Sequence, residues 1–165
     1  MKQVLIVEDQ RMPRENMERV ISESNNYEFA ASVNGADVAL AICRRQRIDL
    51  VLMDVCTAGN KDGIEAAAEI KAEFPNIKII IVTSMVEVGY LQRAREAKVD
   101  SFWYKDSPSG DLISVIEGTL AGKNFWPDKV PAVQLGKALS CDLSDQEMET
   151  LRLLCDCLLY TSDAA

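Results

Sequence analysis

Short apolar runs alternate along residues 1–121 with longer stretches in which apolar residues recur at helical spacing. The runs predict strands at residues 2–7, 49–55, 77–82 and 100–104, and an alternation of apolar with polar residues predicts a further strand at 27–33 with one less-buried face. The run at residues 49–55, Asp-Leu-Val-Leu-Met-Asp-Val, has no polar alternation within its apolar part, which is typical of a strand covered on both faces. It also places a carboxylate, Asp54, at the end of a buried strand.

The stretches between the runs predict helices. They are residues 11–24, 34–46, 62–73, 86–97 and a last helix that opens at Ser107-Pro108 and carries an apolar stripe of Leu112, Ile113, Ile116 and Leu120. Strands that alternate with helices predict parallel strands joined by right-handed crossovers, with helices on both faces. The expected fold is therefore α/β, a doubly wound five-stranded parallel sheet.

The pattern breaks after residue 121. Residues 122–140 are rich in proline and glycine and predict a linker, within which Phe125-Trp126 should pack back onto the protein. Ser144-Asp145-Gln146-Glu147 is a capping box that should open a helix with an apolar stripe, formed by Met148, Leu151, Cys155 and Leu158. A single amphipathic helix cannot bury such a stripe alone, so residues 141–156 predict the start of a further domain.

Composition narrows the classes of function. The net charge of -8 argues against a nucleic-acid-binding surface, which is usually basic. The absence of histidine excludes histidine-based catalysis within this chain. No apolar run approaches the roughly 20 residues of a membrane span, and the N-terminus does not resemble a signal peptide. The five scattered cysteines then predict reduced thiols in a cytoplasmic protein, and Cys155 and Cys157 lack the partners of a zinc site.

Chemistry-bearing residues follow several of the predicted strands. They are Glu8 and Asp9, Asp54, Thr83 and Lys105, and in a doubly wound sheet they share one edge. Each alone is commonly a cap or a solvated side chain, but their joint occurrence at strand ends indicates a site. The clustered carboxylates would bind Mg²⁺, and the lysine and threonine would stabilise a phosphoryl group carried by Asp54 as nucleophile.

These residues resemble the receiver domain of two-component response regulators, over residues 1 to about 121. The matching segments are Val-Leu-Ile-Val-Glu-Asp (4–9), Leu-Val-Leu-Met-Asp-Val (50–55), Asp62-Gly63, Ile-Ile-Val-Thr-Ser (80–84) and Trp-Tyr-Lys-Asp (103–106). The resemblance implies a flavodoxin-like fold of receiver type. It also implies a phosphoacceptor that catalyses only its own phosphoryl transfer and dephosphorylation, and is not otherwise an enzyme.

The resemblance further implies the role of each acidic residue. Asp54 would accept a phosphoryl group from a histidine of a separate sensor histidine kinase. Asp9 and Asp54 would ligate Mg²⁺ directly, together with the backbone carbonyl of Cys56, and Glu8 would act more through water.

Three further roles come from the same resemblance. Lys105 and Thr83 would contact the phosphoryl oxygens. Phe102, three residues before the lysine, matches the aromatic residue that changes rotamer on activation, although strand aromatics often serve only as core. Phosphorylation would then change how the protein meets its partners, including a second copy in a homodimer.

One loop departs from the family pattern. Thr57 and Ala58 stand where the family usually has Met-Pro, and Asp62-Gly63 comes one residue later than usual. The loop from Cys56 to Lys61 is therefore longer and lacks its proline. This departure puts the rigidity of the loop in question, but not the acidic site.

The C-terminal part suggests the output of the protein. Residues 143–154 resemble the opening helix of the helix-turn-helix domain of NarL/LuxR-type regulators, the alternative being an arbitrary capped helix. The chain would then be a transcription regulator truncated in this domain, binding DNA only as the full-length protein. Residues 157–165 look like the translation of a sequencing adapter rather than native sequence.

Two other functions are left open. The chain could be a stand-alone receiver that signals by protein–protein contact. A phosphatase with an aspartyl nucleophile is the third possibility, but such enzymes usually place a second aspartate two residues after the first, where this chain has Cys56.

Overall fold

The computed structural model describes residues 1–85, 87–105 and 111–127, and beyond them residues 134–135, 138–139, 146–147 and 150, with the backbone alone at Val88, 134–135 and 138–139. The chain divides into two compact units, Met1–Asp128 and Lys129–Ala165. The predicted helix start at residues 107–108, the apolar stripe from Met148 to Leu158 and the segment 157–165 lie outside the described residues.

The first unit contains the predicted parallel sheet. Its strands are β1 (Lys2–Val7), β2 (Tyr27–Val33), β3 (Leu50–Met53), β4 (Lys78–Thr83) and β5 (Ser101–Tyr104). They are all parallel and lie in the order β2-β1-β3-β4-β5. The doubly wound five-stranded sheet is therefore confirmed. β4 runs one residue further than predicted, so that Thr83 is its last residue.

The described part of this unit has five α-helices, of which four connect successive strands and the fifth follows β5. They are α1 (Arg11–Ser22), α2 (Ala39–Arg45), α3 (Gly63–Glu73), α4 (Val88–Glu96) and α5 (Leu112–Leu120). The predicted start of α2 was wrong. Gly35 has extended backbone and a short 3-10 turn, Ala36–Val38, precedes α2, so no helix begins at residue 34. α5 begins at Leu112 because the carboxylate of Asp111 accepts the N–H of Ser114 at 2.8 Å and so caps the helix there.

The sheet is covered on both faces, which explains the uninterrupted apolar sequence of β3. Leu50 and Leu52 point into the core layer beneath α1 and α5, while Val51 and Met53 point into the layer beneath α2, α3 and α4. All of these side chains are fully buried. Both faces of β3 must therefore be apolar, and the next residue, Asp54, is the first polar one.

The second unit has few described residues. Gln134–Leu135 and Ala138–Leu139 form an antiparallel pair. The hydroxyl of Thr150 donates to the carbonyl of Gln146 at 2.7 Å, one helical turn earlier. In the part of the chain that the structure describes, no helix combines the length and apolarity needed to cross a membrane.

A buried ion-pair cluster holds the edge of the sheet where β4 begins. The carboxylate of Asp100 accepts hydrogen bonds from Lys78 at 2.8 Å and from the backbone N–H of Ile79 at 2.9 Å. Its other contact is an ion pair with Lys71 at 2.6 Å, and both side chains are about nine-tenths buried, with exposures of 9% and 11%. Burial raises the pKa of Asp100, but the hydrogen bonds from Lys71 and Lys78 outweigh it and leave the pKa lowered.

We expect Asp100→Ala to lower the free energy of unfolding by about 3 kcal/mol at pH 7, because it leaves a buried ammonium group unpaired. The contribution of a carboxylate with a lowered pKa is present above its unfolded pKa of about 3.9 and is lost as the pH falls through the lower folded value. The difference in free energy of unfolding between wild type and Asp100→Ala, measured by urea unfolding, should therefore become smaller below about pH 4. Asp100→Asn, which retains an acceptor for Ile79, should lose less, and equal stability of wild type and Asp100→Ala would contradict the expectation.

Candidate functional site

Three carboxylates meet at the edge of the sheet formed by the carboxyl ends of its strands. Among the described residues, Glu8, Asp9 and Asp54 each offer an oxygen, and these oxygens lie within 4.8 Å of one another. Glu8 and Asp54 are buried, with exposures of 0% and 3%, whereas Asp9 is exposed. A set of carboxylate oxygens with one solvent-facing member fits a hard divalent cation such as Mg²⁺, which usually keeps several of its waters.

Lys105 balances the charge of the two buried carboxylates. Its ammonium group donates to Oδ2 of Asp54 at 2.7 Å and to Oε2 of Glu8. Burial raises the pKa of Glu8 and the charge of Asp54 adds to this effect, against the lowering by the Lys105 hydrogen bond. Burial lowers the pKa of Lys105, but its bonds to Asp54 and Glu8 more than compensate, so this pKa is raised and the lysine keeps its charge.

The backbone of the sheet positions these side chains. The N–H of Asp54 donates to the carbonyl of Val7 at 2.9 Å, so the hydrogen bonding between β1 and β3 continues into the site. The N–H of Lys105 donates to the carbonyl of Thr83 at 3.0 Å. Thr83 is fully buried, and its hydroxyl accepts the N–H of Met85 at 3.1 Å. The threonine therefore joins the site through the backbone of β4 and β5.

Phe102 lies below this edge, in the core. It is 2% exposed and packs edge-on against Tyr104, with ring centroids 5.2 Å apart. The structure therefore brings Glu8, Asp9, Asp54 and Lys105 into one cluster. It places Phe102 outside this cluster, in the hydrophobic core.

Gly63, which the sequence marked only as part of the Asp62-Gly63 match, packs against the backbone of Asp54. A Cβ atom at this position would lie 1.8 Å from the carbonyl oxygen of Asp54 and 2.8 Å from Cγ of Met53. The N–H of Gly63 also donates to the carbonyl of Val55 at 2.9 Å. The start of α3 thus packs directly on the backbone of Asp54, at a distance that no side chain permits.

Asp62 and Arg14 add two further supports. The carboxylate of Asp62 caps α3 by accepting the N–H of Glu65 at 2.9 Å and forms an ion pair with Arg93 of α4. Arg14 of α1 donates to the backbone carbonyl of Glu8 at 3.0 Å. The roles of Arg14 and Arg93 could not be predicted from the sequence, because each arginine contacts a residue outside its own helix.

The loop from Cys56 to Lys61 is tied to its neighbours although it lacks a proline. The hydroxyl of Thr57 accepts the N–H of Ala36 at 3.1 Å and contacts the carbonyl of Lys61 as donor at 3.2 Å. The N–H of Ala58 donates to the carbonyl of Asn34 at 2.9 Å. Thr57, at one of the positions where the chain departs from the family pattern, therefore fixes this loop by hydrogen bonds. The side chain of Cys56 is exposed.

A parallel sheet with an acidic cluster, a lysine and a threonine at the carboxyl ends of its strands defines a signal receiver domain. The comparison with known families agrees, since residues 4–117 match the response regulator receiver domain. The chain belongs to this family.

Relatives of known identity connect it with transcriptional regulators. DesR, a transcriptional regulatory protein of Bacillus subtilis (strain 168), is 31% identical over 153 residues, which cover 93% of this chain and 74% of DesR. The response regulator protein VraR of Staphylococcus aureus is 29% identical over 156 residues, covering 92% of this chain and 74% of VraR. A two-component response regulator of the LuxR family from Aurantimonas sp. SI85-9A1 has a TM-score of 0.69 at 26% identity, over 92% of this chain and 97% of that one. The chain is therefore a response regulator receiver domain with homology to two-component transcriptional regulators.

Proposed function

We propose that Asp54 is the phosphoacceptor of this receiver. The observation that carries the proposal is its position: a buried carboxylate directly after β3, bonded to Lys105 at 2.7 Å and grouped with Glu8 and Asp9. A carboxylate oxygen of Asp54 attacks the phosphorus of a phosphohistidine, so that a P–O bond forms while the P–N bond breaks and the histidine leaves with its electron pair. The chain has no histidine, so the donor is a second protein, a sensor histidine kinase, or a small phosphodonor.

Other residues of the site would balance the charge of the phosphoryl group. Asp9 and Asp54 would hold Mg²⁺ together with the backbone carbonyl of Cys56, with Glu8 acting through water, and the bound ion would neutralise negative charge on the phosphoryl oxygens. Lys105 supplies a fixed positive charge beside Asp54, and the hydroxyl of Thr83 supplies a neutral donor.

The proposed output is control of transcription. Phosphorylation would alter the β4–β5 side of the sheet through Thr83 and Phe102 and favour a homodimer, and DNA binding would belong to the full-length protein in the cytoplasm. The relation to DesR and VraR supports this output over a stand-alone receiver. We also propose that the chain does not turn over a separate substrate, and steady hydrolysis of a phosphate ester such as p-nitrophenyl phosphate would contradict that.

The phosphoacceptor is tested by incubating the protein with Mg²⁺ and acetyl phosphate and measuring its intact mass. We expect one phosphoryl group on the wild type and none on Asp54→Asn, because the amide is not a nucleophile at this position. Asp49→Asn is the matched control, since Asp49 is a largely buried carboxylate directly before β3, where it accepts the N–H of Gln3 at the other end of the strands. An adduct of undiminished yield on Asp54→Asn, or none on the wild type, would overturn the assignment.

A further inference from the structure

The segment that follows α5 turns back and joins the edge of the sheet. Gly122, with a φ of +87°, ends the helix, and the N–H of Lys123 donates to the carbonyl of Gly118 at 2.8 Å. The N–H of Phe102 in β5 then donates to the carbonyl of Phe125 at 2.8 Å, and the N–H of Phe125 donates to the hydroxyl of Ser101 at 3.1 Å. Residues 122–127, here called the strap, are thus bonded through Phe125 to the outer edge of β5.

The strap holds both faces of this edge with two neighbouring aromatic residues. Phe125 packs into the core layer beneath α1 and α5, and Trp126 into the layer beneath α2, α3 and α4. Phe125 lies directly on Gly118, where a Cβ atom would be 2.4 Å from its ring. The ring of Trp126 stacks on Phe102 with centroids 6.2 Å apart, and the guanidinium of Arg95 lies 4.8 Å from the centre of the indole.

The Trp126 stack is connected with the phosphoacceptor by a short series of contacts. Phe102 lies between Trp126 and Tyr104, and Tyr104 pairs in register with Thr83 of β4. Lys105, which follows Tyr104, donates its backbone N–H to Thr83 and its ammonium group to Asp54. A movement of Thr83 and Lys105 toward a phosphoryl group therefore acts on the same two strands that hold the ring stack.

The ring stack also contains an unsatisfied polar group. Tyr104 is 4% exposed, and its hydroxyl has no hydrogen-bond partner among the residues that the structure describes. Buried hydroxyls are normally paired, so this arrangement of the rings is not optimal for Tyr104.

We propose that the strap reads the phosphorylation state of the receiver: Trp126 is stacked on Phe102 while Asp54 is unmodified and is released from Phe102 and Arg95 when Asp54 carries a phosphoryl group. This inference rests on the proposed function of Asp54. The strap is the stretch of chain that leaves the receiver unit, so its release changes the start of the connection to the C-terminal part. Trp126 acts here as a positioning residue and makes no contact with the acidic cluster.

The chain offers a direct optical test because it has only two tryptophans, Trp103 and Trp126. In Trp103→Phe, Trp126 is the single tryptophan. The quenching of its fluorescence by acrylamide is measured before and after phosphorylation with acetyl phosphate and Mg²⁺. The intact mass is measured on the same samples. We expect the quenching constant to rise about twofold as the indole passes from a packed stack into water, in proportion to the phosphorylated fraction. Trp103→Phe with Asp54→Asn should show no rise.

Two glycine variants separate release of the strap from other effects. Gly118→Ala places a methyl group against the ring of Phe125 and should give high quenching without phosphorylation, whereas Gly89→Ala, whose Cβ would meet only Oε1 of Glu87 at 3.5 Å, should behave as the parent. If Trp103→Phe does not fold, hydrogen exchange of the Phe102 amide in the wild type is the readout, and it should accelerate on phosphorylation. A phosphoryl adduct with unchanged or reduced quenching, or unchanged exchange, overturns the strap and leaves the phosphoacceptor intact. Absence of the adduct overturns both.

Discussion

Replacing Lys105 with methionine is expected to lower the free energy of unfolding of the metal-free protein by about 3 kcal/mol, because two buried carboxylates lose their shared counter-charge. Glu8 is fully buried and Asp54 is 3% exposed, and both are bonded to the ammonium group of Lys105. Mg²⁺ should restore most of this loss, since a cation held at 100 times its dissociation constant stabilises the folded state by about 2.7 kcal/mol. Urea unfolding in EDTA and in Mg²⁺ measures both effects.

The pH dependence distinguishes lost charge compensation from lost packing. Burial, with the charge of Asp54 adding to it, raises the pKa of Glu8, so at lower pH the folded protein protonates Glu8 and has one buried charge fewer to balance. The destabilisation by Lys105→Met should therefore become smaller as the pH is lowered. Lys123→Met, at an exposed lysine, is the matched control and should change little. A Lys105→Met variant that unfolds at the wild-type midpoint in EDTA, or one that Mg²⁺ fails to stabilise, would show that Lys105 does not have this role.

The fold was predictable from sequence because its strongest signals are local. An apolar run such as Leu50–Met53 is typical of a strand buried on both faces of a parallel sheet, and five predicted strands separated by helices leave few topologies. The start of α2 was mispredicted because it depends on the extended backbone of Gly35, and the start of α5 at Leu112 likewise depends on a single residue, the capping carboxylate of Asp111. Neither preference is visible in hydrophobic periodicity, which marks the middle of a helix better than its ends.

The site was predictable in its members but not in its contacts. Parallel strands place their carboxyl ends on one edge, so the grouping of Glu8, Asp54 and Lys105 follows from the order of the elements alone. The sequence did not indicate that Glu8 is the buried partner of Lys105 while Asp9 faces solvent. Glu8 and Asp9 are adjacent, and the difference depends on which of the two points toward the buried side of β1. Packing between segments that are far apart in the chain decides this.

The second large effect is expected at Gly63. The alanine variant Gly63→Ala should lower the free energy of unfolding by at least about 3 kcal/mol and reduce the yield of phosphorylated protein, because its methyl group would overlap the carbonyl of Asp54. The overlap is with backbone, at 1.8 Å from the oxygen and 2.9 Å from the carbonyl carbon, so no change of rotamer relieves it. Either α3 must move away from β3, which breaks the bond from Gly63 to the carbonyl of Val55, or Asp54 itself must shift.

Gly89→Ala provides the comparison for this variant because it adds the same methyl group in a helix with room for it. Its stability should rise by about 0.5–1 kcal/mol, as expected for alanine in place of a helical glycine, with a normal yield of phosphorylated protein. Urea unfolding and intact mass measure both properties on both variants. If Gly63→Ala matched Gly89→Ala in both, the close packing of α3 on Asp54 would be unnecessary for the site. If Gly63→Ala lost phosphorylation with its stability unchanged, the glycine would serve the position of Asp54 rather than the packing of α3.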